Sequence, residues 1–284
     1  MWATRDSVPA SAVRMKTRPP PLRLLSALLL SSAALLALLA ATRQAVAESA
    51  PSSEAPRTVL CAPPLTELPG EACAFEPAPA KKSAEPNVLV IFLHGLMSNT
   101  PEARHDWQLY VHSMAKQHGF ALLVPHGRPG IGPGRNPQIL AWPTSEKMRA
   151  AHEDAVLQTW QAAQASFEQQ RGAKFERTYV FGFSNGAYYA TSLLVRAKLK
   201  IQGYAMFGGG SAASYLEKAA KRAALRPRVF VGVGKHDRAR KDAASLALML
   251  KRLGWKHRLA IANGGHSVTP TQVKEALGFL GGGD

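Results

Sequence analysis

The sequence predicts an α/β fold, a mostly parallel open sheet flanked by helices on both faces. Three observations predict it. Short runs rich in Val, Ile, Leu and Phe recur from position 88 onward. Most are apolar throughout rather than alternating, the pattern of strands buried on both faces. Stretches of helical length separate them, so that strand and helix alternate over about 200 residues.

The strands are expected at 88–93 (VLVIFL), 120–124 (FALLV), 178–183 (TYVFGF), 203–207 (GYAMF), 228–233 (RVFVGV) and 257–262 (HRLAIA). The helices between and after them are expected at 102–118, 149–170, 185–198, 212–224, 239–253 and 269–280. Residues 126–148 break this rhythm. They are rich in Gly and Pro, yet carry Ile139, Leu140 and Trp142. A connection of this length in a compact domain usually serves function. It leaves the C-terminal end of a strand, where open sheets bind ligands. We therefore expect it to line a pocket, with Trp142 as a substrate-binding wall or as a loop anchor. Whether it also closes as a lid is left open.

The front of the chain reads differently. Residues 14–23 are basic, 24–41 are apolar and uncharged, and Ala45-Val46-Ala47 precedes Glu48 in a small-x-small pattern. Residues 1–47 thus read as a signal peptide cleaved after Ala47, which places the protein in the periplasm or outside the cell. The alternative is an uncleaved anchor, since the 18-residue apolar run is just short of the usual span. No other stable membrane partner is expected. Cys61 and Cys73 follow the signal, and in an oxidising compartment they are expected to pair. The loop so closed is worth about 3 kcal/mol in the chain-entropy model. Two free buried thiols are the alternative. Residues 48–57 have linker composition, and 58–79 carry the Cys pair in a short hairpin or strand on a sheet edge. The expected organisation is therefore 1–47, 48–85 and a catalytic domain over 86–284.

The formal net charge is +16. Residues 1–47 hold six Lys/Arg and one Asp, which leaves 29 Lys/Arg against 18 Asp/Glu, a net +11. These charges are scattered and no basic run is interleaved with aromatics, so no nucleic-acid partner is expected. Gly208-Gly209-Gly210-Ser211 follows a strand but lacks the spacing and the Lys of a phosphate-binding loop.

Gly182-Phe183-Ser184-Asn185-Gly186 carries the chemistry. This G-x-S-x-G ends an apolar strand and opens a helix, the context of a nucleophile elbow. A serine hydroxyl needs a base. His266, in Asn263-Gly264-Gly265-His266-Ser267, lies on the loop after the last strand, at the same sheet end as Ser184. His94 ends the first regular strand and is expected to shape that turn. The base needs a carboxylate to fix its tautomer. Asp237 follows a strand through Gly234-Lys235-His236, whereas Asp242 falls within the next helix. The expected oxyanion donors are the N–H of Asn185 and that of Leu96, with Met97 N–H as second choice. Met97 is also a candidate for substrate contact.

At this point the sequence resembles a known fold family. LHGLMSN, AKQHGFALLVPHG, GFSNGAYYA and GGHS together resemble the α/β-hydrolase fold, over about residues 86–284. Within it they resemble the polyhydroxybutyrate-depolymerase and feruloyl-esterase-like carboxylesterases. The sequence differs from many such elbows in placing Ala187 after Gly186. The resemblance implies serine esterase chemistry on small, aromatic or polyester-derived esters, without metal or organic cofactor. A serine peptidase of the same fold, or a non-catalytic binding protein retaining it, are the alternatives.

Overall fold

A computed structural model describes residues 60–78 and 87–282. The expected signal peptide and its cleavage point lie outside the described residues. The chain enters through a hairpin, β1 (Thr66–Leu68) and β2 (Ala72–Phe75). Then follow β3 (Val88–Leu93), the short β4 (Met97–Ser98) and α1 (Pro101–His118). After β5 (Ala121–Pro125) come β6 (Arg128–Pro129), β7 (Ile139–Ala141) and α2 (Glu146–Arg171). The second half alternates regularly: β8 (Arg177–Phe183), α3 (Asn185–Val195), β9 (Gly203–Phe207) and α4 (Ser214–Arg222). It closes with β10 (Arg228–Gly234), α5 (Arg240–Arg252), β11 (His257–Ala262) and α6 (Pro270–Gly281).

Eight strands form one sheet in the order β1-β2-β5-β3-β8-β9-β10-β11. β1 and β2 are antiparallel at one edge, and the strands from β5 to β11 run parallel. β3 shows why the strand runs are apolar throughout. Leu89, Ile91 and Leu93 face the core layer under α2, α3, α4 and α5, while Val90 and Phe92 face the layer under α1 and α6. Alternate side chains point to opposite faces, and both faces are covered. Helix ends are set locally: Thr100 and Ser145 cap α1 and α2, Gly119 and Gly172 end them, and Thr269 forms a capping box with Gln272 on α6.

The chain order reverses at β3, with β5 on one side and β8 on the other. The helices following β3 and β8 lie on opposite faces, so a crevice opens at the C-terminal strand ends between them. Cys61 and Cys73 are joined by a disulfide. β2 pairs with β5, with Cys73 opposite Val124, so the Cys-bearing segment forms a hairpin at the edge of the main sheet, as expected.

The segment 126–148 departs from its expected form as one long loop. β6 and β7 pair with each other, and β7 pairs with β4, giving a small antiparallel sheet. Leu140 and Ala141 are buried, and Trp142 is fully buried in the core layer of α2 and α3. Trp142 therefore turns inward and does not wall the cleft.

Candidate active site

β8 ends at Phe183 and α3 begins at Asn185, so Ser184 alone turns the chain. Its backbone sits at φ 51°, ψ −116°. That conformation is costly for a residue with a side chain and marks a site where the fold holds strain for a purpose. A Cβ on Gly186 would lie 2.6 Å from the Leu93 carbonyl oxygen and 2.7 Å from that of His94. Only glycine lets the elbow press against the end of β3. Ser184 N–H donates to Phe207 O at 2.9 Å, which ties the elbow to β9.

Two loops bring their side chains to Ser184. His266, between β11 and α6, has Nε2 2.9 Å from Ser184 Oγ. Its Nδ1 lies 2.9 and 3.0 Å from the two oxygens of Asp237, on the loop leaving β10. A carboxylate only accepts, so Nδ1 carries the proton and donates it, and Nε2 is left to accept from the serine hydroxyl. The Asp237 side chain is 0% exposed and that of His266 28%, so the acid is sealed behind a base that faces the cleft. Asp237 Oδ1 also accepts from Ala239 N–H at 2.8 Å. Gly208, at φ +57°, backs the pair. A Cβ there would sit 3.1 Å from Asp237 Oδ2 and 3.2 Å from His266 Nδ1.

Asp242 accepts instead from the Tyr188 hydroxyl. Burial and this carboxylate push the Tyr188 phenol well above its usual range, which keeps it a donor. His94 shapes its turn as expected. Its Nδ1 donates to Gly95 O at 2.5 Å and its Nε2 accepts from Gly127 N–H at 2.8 Å. Burial pushes its pKa down to about 3, so it stays neutral.

Leu96 and Asn185, the expected oxyanion donors, line the same cleft as Ser184. Asn185 is the first residue of α3, where N–H groups have no intrahelical acceptor. Asn99 N–H donates to Gln138 O at 2.9 Å. In this antiparallel register Met97 and Leu140 form the next bonded pair, so the Met97 N–H belongs to the ladder.

Trp142 proves to be an anchor. Its Nε1 donates to His94 O at 2.8 Å, its backbone N–H donates to Asn185 Oδ1 at 2.8 Å, and its ring stacks on Tyr189. It thereby clamps the loop of His94 to the start of α3. Two clefts meet at Leu96 and His266. One, about 360 Å³, contains Ser184, Asn185, Tyr188, Arg238 and Asp242, with Pro133 from the segment 126–148. The other, about 450 Å³, is walled by Met97, Trp107, Tyr110, Phe183 and Val268. Met97 thus reaches a substrate-sized cleft. Trp107, Phe183 and Val268 were not singled out from the sequence. The signal the sequence offered was Phe183 inside the G-x-S-x-G motif itself.

The profile of the phospholipase/carboxylesterase family matches residues 77–281. The chain belongs to this family. Among curated proteins, acyl-protein thioesterase 1 of Eremothecium gossypii is 29% identical over 115 residues, 39% of this chain and 49% of that protein. The chain thus spans about half the length of this curated relative. Among solved structures, esterase PE8 aligns at 24% identity over 76% of this chain and 98% of its own, with a TM-score of 0.50. S-formylglutathione hydrolase (FrmB) from Staphylococcus aureus aligns at 13% identity over 74% and 92%, with a TM-score of 0.52. These two similarities establish the α/β-hydrolase fold.

Proposed function

We propose that the protein cleaves carboxylic esters or thioesters through an acyl-enzyme on Ser184. The observation that carries the reading is the chain of contacts from Ser184 Oγ through His266 to buried Asp237. His266 Nε2 takes the hydroxyl proton as Oγ attacks the carbonyl carbon. Asp237 holds the Nδ1–H tautomer and stabilises the imidazolium. The oxyanion is received by the N–H groups of Leu96 and Asn185 at the start of α3. His266 then protonates the departing alcohol or thiol and activates water for deacylation.

The thioester option is included because the curated relative is named a thioesterase. The motif resemblance to polyhydroxybutyrate-depolymerase and feruloyl-esterase-like enzymes supports polyester-derived and aromatic esters as substrates. Neither needs a cofactor or a nucleic-acid partner. We also propose that residues 1–47 are removed on export, a setting in which the Cys61–Cys73 bond is chemically stable. Mass spectrometry of the exported chain is expected to find Glu48 at its N-terminus.

The function is tested by turnover of a p-nitrophenyl ester, its matched thioester and its matched amide, each by wild type and Ser184→Ala. Ester or thioester turnover that Ser184→Ala abolishes supports the reading. Turnover of the amide alone overturns it in favour of a peptidase, and no turnover overturns it in favour of a binding protein.

A further inference from the structure

The two clefts that meet at His266 differ in chemistry. Trp107, Phe183, Met97 and Val268 give one an apolar wall. The cleft that contains Ser184 carries Arg238 and Asp242. There the carboxylate is engaged and the guanidinium is not. Asp242 accepts from Tyr188, whereas Arg238 has no hydrogen-bond or ion-pair partner among the described residues.

Arg238 is also held in place by its backbone. It lies between Asp237, which is locked onto His266, and Ala239, whose N–H donates to Asp237 Oδ1. Asp237 N–H donates to Gly234 O and His236 N–H to Gly264 O, so the loop on which Arg238 rides is fixed on both sides. Lys235, Arg240 and Lys241 are exposed around it, and Asp242 is the one exposed acid over 235–242. Of these cations, Arg238 is the one that lines the cleft containing Ser184.

We propose that Arg238 recognises a carboxylate or phosphate on one arm of the ester or thioester substrate, while an apolar second arm lies along Trp107 and Phe183. The inference rests on Ser184 being the nucleophile and adds the substrate class. A planar guanidinium presents paired N–H groups that match the oxygens of such anions. Placed on a rigid loop next to the reacting carbonyl, it also fixes which way the substrate lies.

The test is a ratio of kcat/KM values within two matched pairs of esters. p-Nitrophenyl hydrogen adipate against p-nitrophenyl hexanoate places the charge on the acyl arm. 4-Acetoxybenzoate against its methyl ester places it on the leaving arm. In at least one pair, Arg238→Ala is expected to lower the ratio of anionic to neutral substrate by about tenfold or more, the scale of one hydrogen bond to a charged group. Arg238→Glu lowers it further, and Arg238→Lys, which keeps the charge but not the paired N–H groups, restores only part of it. The pair that responds identifies the arm that carries the anion. Ratios that stay flat in both pairs, or a loss shared equally by charged and neutral esters, overturn the inference. Ser184→Ala on the neutral esters separates the two readings. If it is inactive while the Arg238 ratios are flat, only the present inference fails; if it is active, both fail.

Discussion

Ser184, Asp237 and His266 follow three separate strands, each within four residues of the strand's C-terminal end. That is why they were legible in the sequence: strand ends are where an open sheet exposes side chains, and each was reached by following an apolar run to its end. Asp237 and Asp242 are five positions apart, yet Asp237 touches His266 and Asp242 touches Tyr188. Asp237→Asn is therefore expected to lower kcat by about 10⁴-fold, since the amide favours the wrong histidine tautomer. Asp242→Asn is expected to change turnover of neutral esters far less. Parallel kinetics on the two variants check this, and the larger loss at Asp242 would contradict it. His94 offers a second residue-scale prediction. Burial holds its pKa at about 3, below the ordinary value of 6.5. The unfolded chain then binds this proton more readily, so its contribution to stability is fully present above pH 6.5 and is lost as pH falls toward about 3. Urea unfolding across that window should show a shallower pH dependence for His94→Gln than for wild type. Trp142 was not legible, because the sequence of a Gly/Pro-rich stretch does not tell whether an apolar side chain points to the cleft or to the core. That is decided by Asn185 Oδ1 and His94 O, which offer it hydrogen bonds from distant parts of the chain.

At the scale of elements, the six long strands and six helices agree with the sequence reading to within a few residues; β3, β5, β8, β9 and β10 are buried on both faces and leave an unbroken apolar signature, whereas β11, at the sheet edge, leaves Leu259 and Ile261 exposed. β4, β6 and β7 did not leave such a signature. Two or three residues are too short for any period, and their pairing is set by contact between Met97–Ser98 and Ile139–Ala141 across some forty positions of chain. The elbow makes the sharpest prediction at this scale. Gly186→Ala drives a methyl group into the carbonyl oxygens of Leu93 and His94, and backbone has little room to retreat. We expect a loss of about 1–3 kcal/mol in stability, together with reduced turnover as Ser184 shifts. Chemical denaturation and ester kinetics on the same sample check both. The β1–β2 hairpin behaves differently, since it lies at the sheet edge away from the elbow. Removing the disulfide with the double variant Cys61→Ala, Cys73→Ala is expected to cost about 2–4 kcal/mol. The fully oxidised and the double-variant proteins should then differ in unfolding midpoint more than in kcat.

Across the whole molecule, two core layers hold one sheet, and the cleft opens where chain order reverses at β3. The layers assign different work to aromatics that look alike in sequence. Trp142 lies in the layer under α2 and α3, and Trp107 lines the apolar cleft. Trp142→Ala is expected to cost about 3–5 kcal/mol and to lower turnover of all esters alike. Trp107→Ala is expected to penalise bulky acyl or aromatic esters over acetate by about tenfold or more. The account as a whole depends on one nucleophile at the crevice. Its most direct test is intact-mass and peptide mass spectrometry after treatment with a fluorophosphonate. Wild type is predicted to gain a single adduct on the peptide that contains Ser184, His266→Ala to label far more slowly, and Ser184→Ala not at all. An adduct on a different serine, or undiminished labelling of Ser184→Ala, would contradict it.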